Sequence, residues 1–314
     1  MLLINLLLLA LAWGSGGWYT VLPEDQAQLL LLEFRLPAAV MALLAGAGLA
    51  LAGLLMQTAF RNPLAGPYVL GISSGSSLGV ALVVLAGFWF DGGSDLPLPM
   101  RSLAAMAGAF AMMLLNLSAM KLLQTPATLL VFGILLGHFI GAFTELLQYT
   151  SGGESLKRYL LWGMGTLQVA GWLPQALCAL GVVLAFLWAL PRAAAMDVYA
   201  LGDVYARSMG LSVLAFRRSM LLLAAVLAGL ITAVCGPLSF VGLIIPHAAR
   251  LLAGTGKHQR LLPYTVLCGM LFMLLVHVLS GLSWLGSQLP VNIVCSILGA
   301  PLIGWLLFRL RARF

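Results

Sequence analysis

The stretch from Pro191 to Arg218, PRAAAMDVYALGDVYARSMGLSVLAFRR, is the longest polar interval in a chain of 314 residues that is otherwise almost entirely apolar. Its pattern predicts two short helices, at about Ala194 to Leu201 and Asp203 to Met209. Gly202 and Gly210 follow these helices, where a flexible or left-handed residue is needed. The interval is therefore predicted to be a compact, folded loop with a shape suited to docking.

The composition places this loop in a membrane protein. Hydrophobic residues make up 62% of the chain and charged residues 8%, against about 25% charged residues in soluble domains. The apolar runs are long and continuous, which indicates membrane helices. We therefore predict an all-α polytopic membrane protein, with about ten transmembrane helices in a single domain over residues 1–314. The predicted spans are 1–22, 36–58, 66–90, 102–120, 127–149, 172–190, 219–235, 238–253, 262–283 and 291–308.

The basic residues determine the predicted orientation of these spans. If the first span begins in the cytoplasm, the inner breaks hold 12 lysines and arginines and the outer breaks hold four. Because basic residues accumulate on the cytoplasmic side, both termini are predicted to be cytoplasmic. The net charge of +7 follows from this distribution, and no nucleic-acid partner is predicted. Residues 1–22 lack a basic start and a convincing cleavage site, which favours a retained span over a cleaved signal peptide.

Small residues recur at four-residue spacing in several spans. Span two contains AGAGLALAG from Ala45 to Gly53, and two further series follow in spans three and five. This spacing lets helix backbones approach closely, so close packing is the main interpretation and a pathway-lining role is the alternative. The two further series are Gly71, Gly75, Gly79 and Gly133, Gly137, Gly141.

Polar residues within the spans are the candidates for a transport pathway. The serines at the start of span three either line a wet cavity or bond back to the preceding turn. His138 and Glu145 are seven positions apart and share one helix face. An ionisable residue within a span is a functional hypothesis, although His138 can also be a packed core histidine and Glu145 lies near the outer edge. The candidate pathway residues are Gln57, Ser73, Ser74, Ser76 and Ser77.

Motifs for catalysis or nucleotide binding are incomplete in this chain. Gly71–Gly75 matches the G-x-S-x-G pattern, but it opens a membrane helix and not the strand-to-helix turn that a serine nucleophile needs. Gly254–His258 lacks the first glycine and the hydroxyl residue of a phosphate-binding loop. The four cysteines show no metal or disulfide spacing. We therefore predict no metal, no cofactor and no enzymatic activity in this chain, and a transporter without a nucleotide site needs a separate motor.

Several segments together, covering nearly the whole chain, carry a resemblance to a known family. They are Arg35-Leu36-Pro37, AGAGLALAGLLMQTAFRNPLAGPYVLGISSGSSLG (45–79), LWGMGTL (161–167), YALGDVYARSMGL (199–211), CGPLSFVGLIIPHAARLLAG (235–254) and LPVNIVCSILGAPLIGWLLFR (289–309). This set resembles the FecCD (BtuC-like) family, the membrane permeases of importers for iron-siderophores, haem and vitamin B12.

The resemblance implies a set of partners. These are a second copy in a homodimer with the pathway along its two-fold axis, two ATP-binding-cassette ATPase subunits on the cytoplasmic face, and a periplasmic or lipid-anchored substrate-binding protein. ATP and Mg would be bound by the ATPase. The surrounding solvent is membrane lipid.

The resemblance also implies roles for individual residues. The loop at about 191–218 would couple to the ATPase, and Arg35 would dock the binding protein. Asp203 and Arg207 are spaced to form a weak pair along one helix, and contact with the ATPase is their more important implied role. The implied coupling residues are Leu201, Gly202, Asp203, Ala206, Arg207 and Gly210. The implied motif at the cytoplasmic edge is Arg61, Asn62, Pro63, Pro246, His247 and Arg250.

The chain departs from the family pattern at four positions. Ala38 replaces the second arginine of R-L-P-R, which leaves Arg35 to dock with less help. Gly256–Arg260 lacks the acidic residue of G-x-D-H-R, so the local partner there must differ. Gln288 and Asn292 alter the usual E-x-P-V-G, which changes the expected outer gate.

The predicted function is that of a permease subunit in the bacterial inner membrane. It would move an iron chelate or cobalamin from periplasm to cytoplasm by alternating access, driven by the ATPase. Three alternatives are an ion-coupled secondary transporter, which requires an ionisable relay near mid-membrane, an intramembrane serine protease, and a receptor or sensor.

Overall fold

The computed structural model describes residues 2–14, 17–18, 28–85, 98–123, 125–169, 171–284 and 287–311. These residues are mainly helical, with two small antiparallel hairpins, Trp13–Gly14 with Gly17–Trp18 and Ser283–Trp284 with Ser287–Gln288. Each of the ten predicted spans contains a helix, which confirms the all-α polytopic fold.

The helices in chain order are α1 Leu2–Ala12, α2 Gln28–Phe60, α3 Ile72–Val84, α4 Leu98–Ala119, α5 Pro126–Thr150, α6 Gly153–Gly163, α7 Leu173–Ala189, α8 Ala193–Ala200, α9 Asp203–Ser208, α10 Val213–Cys235, α11 Val241–Ala253, α12 His258–Gly281 and α13 Val291–Arg311. Six of the described helical segments are long and apolar enough to cross a membrane, namely α2, α4, α5, the continuous run α7–α8, α10 and α12. Three described apolar helices, α3, α11 and Val291–Trp305 of α13, are shorter.

Helix α2 forms the centre of the bundle. It packs against α12, α10, α11 and α7, and 83% of its most apolar window is buried, compared with 22% for α5. A helix that is hydrophobic on all sides is stable only when neighbours cover every side, and the even distribution of Ala, Gly and Leu along residues 45–55 meets this condition. Helix α5 is therefore peripheral.

Glycines set the closest helix contacts. A Cβ atom added at Gly46 would lie 2.1 Å from the carbonyl oxygen of Gly269 in α12, and one added at Gly53 would lie 1.7 Å from that of Gly242 in α11. Gly75 and Gly108 bring α3 and α4 together in the same way. These contacts confirm the packing interpretation.

The packing interpretation is wrong for one member of the glycine series in α5. A Cβ atom added at Gly141 would meet nothing within 4 Å, so this glycine does not set a helix contact. Gly133 and Gly137 do contact the backbone near Leu70 and Gly71.

Two predicted spans extend well beyond their helices. Helix α1 ends at Ala12, where the first hairpin begins, so the span 1–22 was too long, and residues 19–22 are outside the described residues. The span 66–90 begins with a 3-10 turn at Pro67–Leu70, and Gly71 has φ +69°, so α3 starts only at Ile72. Its 13 residues reach about 20 Å, and residues 86–90 are not described.

Candidate functional site

The polar interval folds as predicted into two short helices, α8 and α9. Gly202 connects them with φ +123° and Gly210 ends the second with φ +81°, backbone conformations that favour glycine. We call residues 191–212 the knob.

An ion-pair cluster fixes the base of the knob to the membrane helices. Asp203 pairs with Arg61 at the end of α2. The Oδ2 atom of Asp203 also lies 3.2 Å from Nη2 of Arg217 in α10. Arg217 Nε donates to the hydroxyl of Tyr199 at 2.6 Å, and that hydroxyl donates to the carbonyl of Ala59 at 2.9 Å. We call Arg61, Tyr199, Asp203 and Arg217 the arginine cluster.

Arg61 holds a backbone conformation that is uncommon for a residue with a side chain. Its φ is +49°, in the left-handed region that ends many helices. Its Nε atom donates to the carbonyl of Tyr199 at 2.9 Å, and its guanidinium carbon lies 4.3 Å from the centroid of the Tyr199 ring. These contacts compensate for the backbone strain and join the end of α2 to the knob.

The two arginines also set the charge state of Asp203. Partial burial alone would raise the pKa of this carboxyl group, but the hydrogen bonds and positive charges of Arg61 and Arg217 outweigh it and hold the pKa below its ordinary value. Since a lowered pKa is crossed only at acidic pH, Asp203 is ionised and its ion pairs are present throughout the neutral range.

The predicted pairing of Asp203 with Arg207 is wrong. Asp203 points towards Arg61 and Arg217, whereas Arg207 is exposed and has no ion pair among the described residues. The carboxylate gains more from two arginines at a partly buried site than from one exposed arginine on its own short helix.

A second anchor joins the knob to α12. One oxygen of Asp197 in α8 accepts the backbone N–H of His258 at 3.0 Å. The same oxygen lies 2.5 Å from the ring Nδ1 atom of His258. The other ring nitrogen of His258 lies 2.8 Å from the hydroxyl of Thr58 in α2. Lys257 precedes α12 without capping it. Asp197 therefore supplies an acidic group at the start of α12, next to Lys257, where the sequence lacks one.

The predicted edge motif comes together between α2 and α11. Arg250 Nη1 donates to the side-chain oxygen of Gln57 at 2.7 Å, and Gln57 Nε2 donates to the carbonyl of Leu243 at 3.0 Å. His247 Nε2 lies 2.7 Å from the carbonyl of Pro63. Gln57 is buried and holds α2 to α11, and its place in the pathway stays a prediction.

Two other members of the edge motif shape the backbone. The side chain of Asn62 accepts the N–H of Leu64 at 2.9 Å and stabilises the turn after α2. Pro246 lies inside α11, where it cannot donate to the carbonyl of Gly242 four residues earlier, and this carbonyl faces Gly53.

The serines of α3 do not share one environment. Ser76 is fully buried, while Ser73, Ser74 and Ser77 are partly exposed. No hydrogen bond to the preceding turn is found for them in the described part of the chain. A described serine in hydrogen-bond contact with a histidine is also not found, which removes the geometric basis for a serine protease.

Arg35 is not on the free surface where the docking prediction placed it. It is 6% exposed, and its Nη1 atom donates to the carbonyl of Leu11 in α1 at 2.9 Å. It borders a cavity of about 260 Å³ together with His277 and Gln288. In this conformation Arg35 joins α2 to α1, because a guanidinium within an apolar span gains more from a carbonyl than from exposure to lipid, and its docking role stays a prediction.

The remaining departures from the family pattern also have structural counterparts. Ala38 is buried in the core of the bundle. Asn292 at the start of α13 accepts the backbone N–H of Ser239 at 2.9 Å, so it ties α13 to the turn before α11.

The tip of the knob is apolar and exposed. Val204 is 87% exposed, Leu201 68% and Met209 61%, and Tyr205 and Arg207 are also exposed. Sequence reasoning singled out Leu201 and Arg207 but missed the other three, although Tyr205 and Met209 are four residues apart, a spacing that places residues on one face of a helix.

Three further residues correct the sequence interpretation of the knob and its base. Ala206, a predicted contact of the ATPase, is buried inside the knob. Tyr199 and Arg217, which complete the arginine cluster, were not singled out as site residues. An arginine next to a run of apolar residues at the start of α10 is the signal that could have pointed to Arg217.

Replacing Asp203 by asparagine is expected to lower the stability of the permease by about 2 kcal/mol, because Arg217, which is 3% exposed, loses its negatively charged partner. Thermal unfolding in detergent and protease cleavage within the knob would measure this effect. Arg207→Gln on the same short helix is the matched control and is expected to unfold like the wild type. Equal destabilisation by both changes would contradict the pairing described above.

One face of α5 is exposed along the whole helix. His138 and Glu145 both lie on it, so the interpretation of His138 as a core histidine is wrong. Phe139 and Phe143 flank this stripe, and Tyr149 continues it with 88% exposure.

Comparisons with known proteins agree with this geometry. The chain is 36% identical over 296 residues, 94% of this chain and 86% of the relative, to the vitamin B12 import system permease protein BtuC of Serratia proteamaculans. It is 33% identical over 315 residues, covering 99% and 93%, to the BtuC protein of Escherichia coli O9:H4. These relatives are named as permeases, which are transport components and not enzymes.

A solved structure is also similar. It is described as an inward-facing conformation of a metal-chelate type ABC transporter, and it matches with a TM-score of 0.87, 30% identity and coverage of 98% of this chain and 96% of that chain. The profile of the FecCD transport family matches residues 1–309. With nearly its whole length matched, the chain belongs to the FecCD transport family of importer permeases.

Proposed function

We propose that the chain is the permease of an ATP-driven importer that moves vitamin B12 or a metal chelate into the cell. The observation that carries this proposal is the knob, which combines an exposed apolar tip with a base bonded to membrane helices. In water, an exposed apolar patch is typical of an interaction surface. The chain offers no complete nucleotide-binding motif, so the partner at the tip is the ATPase.

The anchors of the knob explain how movement of the ATPase can be transmitted to the membrane helices. The arginine cluster joins the knob to α2 and α10, and Asp197 joins it to α12. When the ATPase subunits close and displace the tip, these helices therefore move as a rigid body. This movement opens the transport pathway alternately to either side of the membrane. The predicted spans assign 12 of the 16 basic residues to the side of the knob, which supports a cytoplasmic position for this side and for both termini.

The exposed stripe of α5 supports a homodimer. His138 and Glu145 lie within an apolar span, where ionisable side chains face a water-filled cavity or another protein rather than lipid. Pairing this stripe with that of a second copy places both residues along a pathway on the two-fold axis. The cargo then passes between the two protomers.

An ion-coupled transporter is less well supported. Among the described histidines, His247 is bonded to a backbone carbonyl, His258 is held by the second anchor and His277 borders the cavity beside Arg35. They do not form a relay with His138 and Glu145.

Reconstitution tests the proposed function. Proteoliposomes containing the permease, its ATPase and its binding protein are expected to accumulate cyanocobalamin or an iron chelate only when ATP is supplied to the side of the knob. Accumulation driven by a proton gradient without the ATPase would instead support the ion-coupled transporter.

A further inference from the structure

The ionisable residues of α5 are few and lie on one stripe. The helix contains no lysine or arginine, and its ionisable residues besides Tyr149 are His138 and Glu145. The three positions follow each other at intervals of seven and four residues, which keeps them on one side of the helix. All three side chains are exposed in one protomer.

Glu145 has no ion pair among the described residues. Of the two basic residues on the neighbouring surface helix α6, Arg158 is already 3.5 Å from Glu154, and Lys157 is exposed. Gly133 and Gly137 place the first half of α5, the end nearer Pro126, against residues 69–71. Glu145 is two helical turns beyond Gly137, and so about 12 Å further from that end.

We propose that the two Glu145 side chains of the homodimer make the outer part of the pathway electronegative, so that the cargo is an uncharged or cationic chelate and not a polyanion. This inference rests on the proposed function, because it requires two copies facing each other. Rings of carboxylates select cations in membrane pathways, and low-dielectric walls strengthen the potential inside a cleft. A chelate with several negative charges would be repelled by both carboxylates.

The potential can be measured with a cysteine at Ala142. This exposed position is three residues from Glu145 on the same face, with Cβ atoms about 5–6 Å apart. The four native cysteines are buried and free, so background labelling is low. The full-length Ala142→Cys chain in lipid nanodiscs is treated with cationic and anionic methanethiosulfonate reagents of similar size, and each rate is divided by the rate with a free thiol in solution.

After this correction, the cationic reagent is expected to react about tenfold faster than the anionic one. The two nearby Glu145 carboxylates, partly screened by salt, attract the cation and repel the anion. Adding Glu145→Gln is expected to bring the ratio close to one. Adding Glu154→Gln, a change on the exposed surface of α6, is the matched control and is expected to leave the ratio unchanged.

The outcomes separate this inference from the proposed function. A ratio near one with fast labelling by both reagents would overturn the charge selection and leave the pathway in place. Absence of labelling by either reagent would show that the stripe does not face water, and both the pathway and the inference would fail.

Cargo uptake gives a second measure. The complete complex is expected to reject a trianionic ferric tricatecholate. Import of this probe as fast as cyanocobalamin or an uncharged ferric trihydroxamate would overturn the assignment of the cargo class.

Discussion

Replacing Val204 by aspartate is expected to weaken association with the ATPase severely and to abolish ATP-driven uptake. Val204 is 87% exposed at the centre of an apolar tip, so a carboxylate there would be buried without a partner when the tip docks. Loss of a central interface residue typically costs about 2–4 kcal/mol, which corresponds to roughly 30- to 1000-fold weaker binding. Co-purification and the affinity for the isolated ATPase would measure this loss.

The folded permease should not change in this variant, because the side chain of Val204 is almost fully in solvent. Its thermal unfolding is therefore expected to match that of the wild type. Leu122→Asp is a suitable control, since Leu122 is 85% exposed in the loop between α4 and α5 and is not part of the knob. Similar loss of ATPase binding in both variants would show that the tip has no special role.

Replacing Gly53 by alanine is expected to prevent α2 from packing against α11. The new Cβ atom would lie 1.7 Å from the carbonyl oxygen of Gly242, and a backbone atom in the core of the bundle cannot move aside cheaply. Overpacking of this kind usually costs about 1–3 kcal/mol and more when backbone must shift, so a loss of about 3 kcal/mol or more is expected. Yield of monodisperse protein and thermal unfolding in detergent would show it.

Gly141→Ala provides the comparison for this change. It adds the same methyl group within a membrane helix, but nothing lies within 4 Å of the new atom, and alanine is a better helix former than glycine. We expect its stability to equal or slightly exceed that of the wild type. If Gly53→Ala were tolerated as well as Gly141→Ala, the close approach of α2 and α11 would be disproved.

The helices were predictable because hydrophobic length and polar breaks are local features of the sequence. The two knob helices were likewise found from Gly202 and Gly210. Their conformations at φ +123° and +81° are local requirements that glycine signals directly. The ends of α1 and α3 were missed, since apolar residues continue beyond the helix in both cases.

The partners of the charged residues were not predictable in the same way. Asp203 and Arg207 are four positions apart, and local spacing suggested that they pair. The actual partner Arg61 is 142 positions away, and only the packing of α2 against the knob brings it into contact. Arg35 was misplaced for a similar reason, because the sequence does not show that α1 covers it.

The attachment of the knob has a consequence for how force is transmitted. A loop attached to the membrane helices at one point could rotate about that point, whereas a loop attached at three points cannot tilt without straining at least one attachment. The three attachments of the knob are to α2, α10 and α12. A displacement of the tip is therefore transmitted to widely separated parts of the chain together. Removing any single anchor should leave a permease that still binds its ATPase but transmits less of the ATPase movement to the membrane helices, so that more ATP is hydrolysed per molecule imported.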